Sequence, residues 1–281
     1  MRASPCRNFF GVGSLRLFFH GIFSALLAAT SSVTAAEPRP ARDRETLSIA
    51  AAANLVYALD AVNAAFHHTA PEISLTVATG ASGSLVSQIE HGAPYDVLLS
   101  ADVDYPRALI AAGHAVPATL VTFATGRLVL WTTHPDIPLE SIAATVRSER
   151  VRKLALAHLD TAPYGRAAQQ TLEALGAWTD AQSKIVIGEN ITQTAQFVDT
   201  RNADAGFVAL SLVLSPKLRD RGRWLEVPAE LHAPLDHAAV ITRRGENNPA
   251  AARYLAFLRS KPAQEILQRF GYAVPRSSVS I

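Results

Sequence analysis

Residues 47–80 read LSIAAAANLVYALDAVNAAFHHTAPEISLTVATG, and the spacing of their apolar residues decides the fold. LSIAAAA (47–53) is an apolar run of strand length that ends at Asn54. From there Leu55, Leu59, Val62 and Phe66 recur at helical spacing, with Asn54 at the N-cap position and Pro71 ending the segment. ISLTVATG (73–80) alternates, with Ile73, Leu75 and Val77 on one face, which is a strand pattern. The loop ATGASGSL (78–85) then opens a helix with Leu85, Val86 and Ile89 inward and Gly92 just past its end. YDVLLSAD (95–102) supplies a third strand. Strand, helix, strand, helix, strand with short connections is an α/β unit built on a mainly parallel sheet. In such sheets ligands sit beyond the carboxyl ends of the strands, beside helix N-termini.

A second α/β series follows. RLVLWTT (127–133) is a strand, and VRKLALAHLD (151–160) contains another. The APYG turn (162–165) opens a helix with Ala168, Leu172 and Leu175 inward, closed by Gly176. KIVIGEN (184–190) reads as a strand, 191–199 as a short helix, AGFVALSLV (205–213) as a strand and HAAVITRR (237–244) as a late strand. Helices over 250–259 and 262–270 finish the chain. Four helix starts therefore follow strand ends through small or amide residues: AAAN at 54, GASGS at 84, APYG, and GENITQ at 188–193. Each offers free backbone N–H groups and the positive end of a helix dipole. Brought together, they make an anion site without a cation.

The first 36 residues stand apart. Arg2, Arg7 and Arg16 precede or interrupt an apolar run over 15–29, and small residues surround Ala35 and Ala36. This is the pattern of a secretory signal peptide, cleaved after Ala36. The run is shorter than the ~20 residues a spanning helix needs. Removing 1–36 takes away three arginines and no acids, so the formal charge of +2 becomes −1. The basic pI of 8.8 therefore gives no support to a nucleic-acid partner. Cys6, the chain's one cysteine, leaves with the signal, so the mature chain has no disulfide, thiol nucleophile or thiolate metal site.

Local chemistry narrows the reading further. ATGASGSL is not a nucleotide P-loop: it lacks the lysine, and Gly80 to Gly83 is the wrong spacing. Nor is it a hydrolase elbow, because Ser84 stands where the second glycine belongs. Its plain alternative is a capped helix start, with Ser82 or Ser84 serving the local backbone and Ser84 the expected cap. The nine histidines show no metal-site spacing; His67 and His68 close a helix, and His232 and His237 lie five apart across a proline. Asp102 and Asp104 read as caps or surface charges. Tyr164 can pack its ring and offer its hydroxyl, or serve only as a lid aromatic, and the local pattern does not choose.

In their order, AAAN54, TGASGSL, HGAPYDVLLSAD, GRLVLW, APYG, GENITQ and DAGFVAL resemble the periplasmic molybdate-binding proteins of ABC importers, a class of extracellular solute-binding protein. The resemblance runs from about Leu47 to Pro275. It implies a two-lobe α/β fold of the type II periplasmic-binding-protein kind, each lobe a mainly parallel sheet flanked by helices, with an oxyanion in the cleft. The implied layout is 1–36 signal peptide, 37–126 and 237–281 lobe I, and 127–236 lobe II, with crossovers near 124–130 and 233–243. The implied ligand residues are Ala53, Asn54, Ser82, Tyr164 and Ile191. Many family members carry serine at the position of Asn54 and a tyrosine near Ala209. Here Tyr164 supplies the phenol that Ala209 lacks.

The resemblance implies molybdate or tungstate as ligand, no cofactor and no metal bound as a cation. It implies a permease of an ABC importer as partner, no nucleic acid, and a periplasmic monomer without enzymatic activity. Molybdate at neutral pH is a fully deprotonated dianion and calls for donors only; phosphate keeps a proton and favours an acceptor. None of Asn54, Ser82, Tyr164 or the Ile191 amide is an obligate acceptor. Two other readings stand beside this one: a binder of another tetrahedral oxyanion such as sulfate, and a secreted enzyme using Ser82.

Overall fold

The computed structural model describes residues 45–273; the expected signal peptide, its junction at Ala36, most of the polar lead-in and residues 274–281 lie outside them. The first lobe opens with β1 (Glu45–Ala52), α1 (Val56–Thr69), β2 (Ile73–Gly80), α2 (Ser82–Glu90), β3 (Val97–Ser100) and α3 (Asp104–Ala111). After β4 (Val121–Thr125) the chain crosses at Gly126 and Arg127 into β5 (Leu128–Thr132). The second lobe continues with α4 (Ile142–Arg147), β6 (Leu154–Ala157), α5 (Pro163–Ala174), α6 (Trp178–Gln182) and β7 (Ile185–Gly188). It closes with α7 (Ile191–Asp199), β8 (Ala205–Ala209), α8 (Leu210–Val213) and β9 (Arg223–Glu226). The chain then returns through β10 (Asp236–Ile241), α9 (Pro249–Leu258) and α10 (Lys261–Arg269).

Two five-stranded sheets result, ordered β2-β1-β3-β10-β4 and β7-β6-β8-β5-β9. Each holds a parallel trio, β2-β1-β3 in one and β7-β6-β8 in the other. β10 joins the first trio and β5 the second antiparallel, and β4 and β9 in turn pair antiparallel with β10 and β5, so both sheets are mixed. Within the trios the strand ends are level: Ala52 pairs with Gly80, and Ala157 with Gly188. That alignment puts the helix starts that follow β1, β2, β6 and β7 along one edge of each sheet.

The first sheet is covered on both faces. Leu47, Ile49, Ala51, Val97 and Leu99 join the main core with α1, while Ala50 and Leu98 face Leu85, Val86 and Ile89 of α2 on the other side. Of the face formed by Ile73, Leu75 and Val77, Ile73 is buried while Val77 is 37% exposed, because β2 is an edge strand. The run 205–213 is also not one strand. It stays extended only through Ala209 and then turns into α8, whose Leu210, Leu212 and Val213 are buried in a helical turn. The elements α3, β4, α4, α6 and β9 are short and carry too few periodic residues for sequence spacing to mark them.

Candidate functional site

The five residues singled out from the sequence meet in one place. Ala53, Asn54, Ser82, Tyr164 and Ile191 line a single cavity between the lobes, together with Gly80, Ala81, Ala101, Ala162 and Pro163. Its empty space, counted out to the mouth, is about 200 Å³. No charged side chain lines it. Ala53, Asn54, Ser82, Tyr164 and Ile191 are each no more than 4% exposed, so the lobes are closed over the space.

Each wall is the start of a helix that follows a strand. After β1, residues 53–55 form a 3-10 turn that leads into α1. After β2, Ser82 is the first residue of α2, and Ala81 has no side chain with which to cap it. After β6, Pro163 occupies the first helical position of α5, where its missing N–H is no loss, so Tyr164 presents the first free amide. The start of α5 fits tightly on the end of β6: a Cβ on Gly165 would lie 2.4 Å from the Ala157 carbonyl oxygen. After β7, Asn190 caps α7, its Oδ1 accepting from the amides of Thr192 (3.0 Å) and Gln193 (3.1 Å). The amides of Ser82, Tyr164 and Ile191 have no acceptor among the described residues. The cavity thus collects uncommitted N–H groups at dipole ends, the arrangement that favours an anion.

Two hydroxyls add to these amides. Ser82 Oγ accepts from the Ala101 amide at 3.1 Å, which fixes the oxygen and leaves its proton without an acceptor among the described residues. Tyr164 Oη lies 3.5 Å from Asn54 Nδ2, from which it accepts, and its own proton likewise has no acceptor among the described residues. Burial, and then the neighbouring Tyr272, hold the Tyr164 hydroxyl well above its usual pKa, so it stays a donor.

The structure corrects two local assignments. Asn54 is not an N-cap: it sits inside the 3-10 turn, and neither that turn nor α1 has a side-chain cap. Its amide instead reaches inward, Nδ2 lying 2.6 Å from His237 Nε2 and 2.7 Å from the Tyr272 hydroxyl oxygen. Ser84 is not a cap either, because α2 has no side-chain cap bond and Ala81 is the preceding residue. Asp102 does act as a turn acceptor, its Oδ1 taking the Asp104 amide at 2.7 Å, and it also pairs with Arg166 across the lobes.

Sequence reasoning missed the layer under the cavity. His237, Tyr272 and Ser211 are all buried around Asn54, and the Ser211 hydroxyl donates to the Asn54 carbonyl oxygen at 2.9 Å. Burial lowers the His237 pKa to about 4, outweighing its bond to the Leu235 carbonyl, so the ring is neutral at physiological pH. The aromatic residues 237 and 272 lie far from the cavity loops in sequence, and no motif marks them. A signal did exist in the glycine at the first crossing: a Cβ on Gly126 would fall 2.2 Å from Tyr164 Oη and 2.7 Å from His237 Cε1.

The chain matches the family model described as bacterial extracellular solute-binding protein over residues 47–273. It is 38% identical to the molybdate-binding protein of Azotobacter vinelandii over 195 residues, covering 69% of this chain and 77% of that protein. It is 36% identical to the molybdate-binding protein of Rhodobacter capsulatus over 236 residues, covering 80% and 91% of the two chains. Among solved structures, the periplasmic molybdate-binding protein of Azotobacter vinelandii superposes with a TM-score of 0.77 at 29% identity, over 82% of this chain and all of that one. The two-lobe architecture, the cavity between its lobes and these matches have one reading: the chain belongs to the bacterial extracellular solute-binding proteins.

Proposed function

We propose that this protein captures the molybdate dianion in the periplasm and hands it to the membrane permease of an ABC importer, with tungstate, of the same charge and shape, accepted as well. The observation that carries the reading is the uncharged cavity at four helix starts, where the hydroxyl protons of Ser82 and Tyr164 and the amides of Ser82, Tyr164 and Ile191 have no acceptor among the described residues. A fully deprotonated tetrahedral dianion needs donors alone. Hydrogen phosphate would bring a proton of its own, and the lining offers no carboxylate to receive it. The relatives in Azotobacter vinelandii and Rhodobacter capsulatus, both named for molybdate binding, support the same choice. The protein works as a monomer that binds and releases, with no cofactor and no chemical step. Among the described residues the one hydrogen-bond partner of Ser82 Oγ is the Ala101 amide, and the buried His237 imidazole is committed to Asn54 and Leu235.

Native mass spectrometry tests this directly. Protein exposed to an equimolar mixture of molybdate, sulfate and phosphate and then desalted is expected to retain one molybdate. Retention of phosphate, or of no anion, would contradict the reading.

A further inference from the structure

Asn54, a lining residue of the cavity, has a buried Oδ1 with no hydrogen-bond partner among the described residues. A buried acceptor left unpaired is costly, and turning the amide over would bring its oxygen toward two phenols able to donate, Tyr272 and Tyr164. Something must hold the unfavourable orientation. The group that does so is the imidazole of His237. Its Nδ1 lies 2.9 Å from the Leu235 carbonyl oxygen, which can only accept, so the ring proton is on Nδ1. Nε2 is therefore an acceptor, 2.6 Å from the Asn54 amide nitrogen. An oxygen in that position would meet the Nε2 lone pair head on. Nδ2 shares its two hydrogens among His237 Nε2, the Tyr272 oxygen and, at the longest distance of 3.5 Å, the Tyr164 oxygen. The Tyr272 proton has its own acceptors, the Asn54 carbonyl at 3.1 Å and Ser211 Oγ at 3.0 Å.

We propose that His237 is a positioning residue for the anion site: by accepting from Asn54 it keeps the amide nitrogen toward the phenols, and so keeps the Tyr164 proton for the bound anion. Were the amide reversed, Asn54 Oδ1 would take that proton, and the cavity would lose a donor without losing a residue. His237 lies on β10, at the second crossing between the lobes, so the crossing segment and the ligand shell share one hydrogen-bond chain from Leu235 through His237 and Asn54 to Tyr164. The inference rests on the oxyanion reading of the cavity.

The test is a double-mutant cycle on the full chain with molybdate as ligand. His237→Phe keeps the ring and removes the acceptor, and is expected to weaken binding about 10-fold. Combined with Tyr164→Phe it should add less than about 2-fold to the effect of Tyr164→Phe alone, because both changes remove the same donor. His237→Gln, which retains an acceptor, should restore most of the affinity. Additive losses, or unchanged binding in His237→Phe beside a weakened Tyr164→Phe, would overturn the proposal. Should the phenylalanine variant fail to fold, the tautomer decides: nitrogen-15 spectra of the wild-type imidazole at neutral pH should show a protonated Nδ1 and a bare Nε2. A protonated Nε2 would overturn it with no ligand present. Failure of molybdate to bind the wild type would instead strike the functional reading, leaving the tautomer result standing.

Discussion

Asp102, on the loop after β3, forms an ion pair across the lobes with Arg166 in the first turn of α5, one residue from a lining residue on its own side and two from Tyr164 on the other. Around it, the Arg166 guanidinium lies 5.3 Å from the centre of the Tyr105 ring, and the Tyr105 hydroxyl donates to the Asp160 carbonyl at 2.9 Å. The Gly83 amide donates to the Thr161 carbonyl at 2.9 Å beside them. None of these side chains lines the cavity, yet together they tie the two helix starts, α2 and α5, that close over it.

Breaking this clasp should therefore speed release. Arg166 is 40% exposed, so solvent screens the pair and its worth is up to about 1 kcal/mol. Asp102→Asn is expected to raise the dissociation rate by up to about 5-fold, with a much smaller effect on association. A chase of radiolabelled molybdate at low and high salt measures it; the difference between variant and wild type should shrink as salt rises.

Direct donors should matter more. Ser82→Ala and Tyr164→Phe each remove a hydroxyl whose proton is otherwise unused, and each is expected to weaken molybdate binding about 10- to 100-fold. Equilibrium dialysis checks both, with far-ultraviolet spectra to show that the fold is retained.

Gly126 is the tightest point beneath Tyr164. A methyl there would overlap both Tyr164 Oη and His237 Cε1. Gly126→Ala is expected to cost about 1–3 kcal/mol in stability and to weaken binding at least as much as Tyr164→Phe. Urea denaturation and the same dialysis report the two effects separately.

His237 also sets a pH dependence. Its pKa falls from 6.5 to about 4 on folding because burial disfavours the charged ring. The folded state thus holds fewer protons than the unfolded chain between these values. The associated stability is complete above pH 6.5, declines as pH falls, and is lost through about pH 4. The full span corresponds to about 3 kcal/mol. Urea midpoints from pH 7 down to pH 4.5 should fall less steeply for His237→Gln than for the wild type.

Much of this arrangement was legible in the sequence. The strand–helix–strand pattern over 47–100 was marked by apolar spacing with Pro71 and Gly92 as stops, and the four helix starts by small or amide residues at strand ends. Spacing did not reveal how those starts are served. Asn54 looked like a cap because amides favour that position, but a 3-10 turn over 53–55 moves the cap position of α1 to Leu55 and frees the Asn54 side chain for His237. The supporting layer was invisible for a related reason. His237, Tyr272 and Ser211 are 183, 218 and 157 residues from Asn54, and they reach it on separate elements: Ser211 on α8, His237 on the returning β10 and Tyr272 just past α10. At 205–213 the apolar run is buried as strand and helix alike, so hydrophobicity carried no period to separate them.

The central claim is that an uncharged cavity of backbone amides and hydroxyl protons selects a fully deprotonated tetrahedral dianion. Titration calorimetry of the mature protein with molybdate, sulfate and phosphate at neutral pH tests it most directly. The account predicts one molybdate bound per chain, with a free energy of about −8 to −12 kcal/mol, and no measurable competition from phosphate. Absence of heat with molybdate, or tighter binding of phosphate, would contradict it.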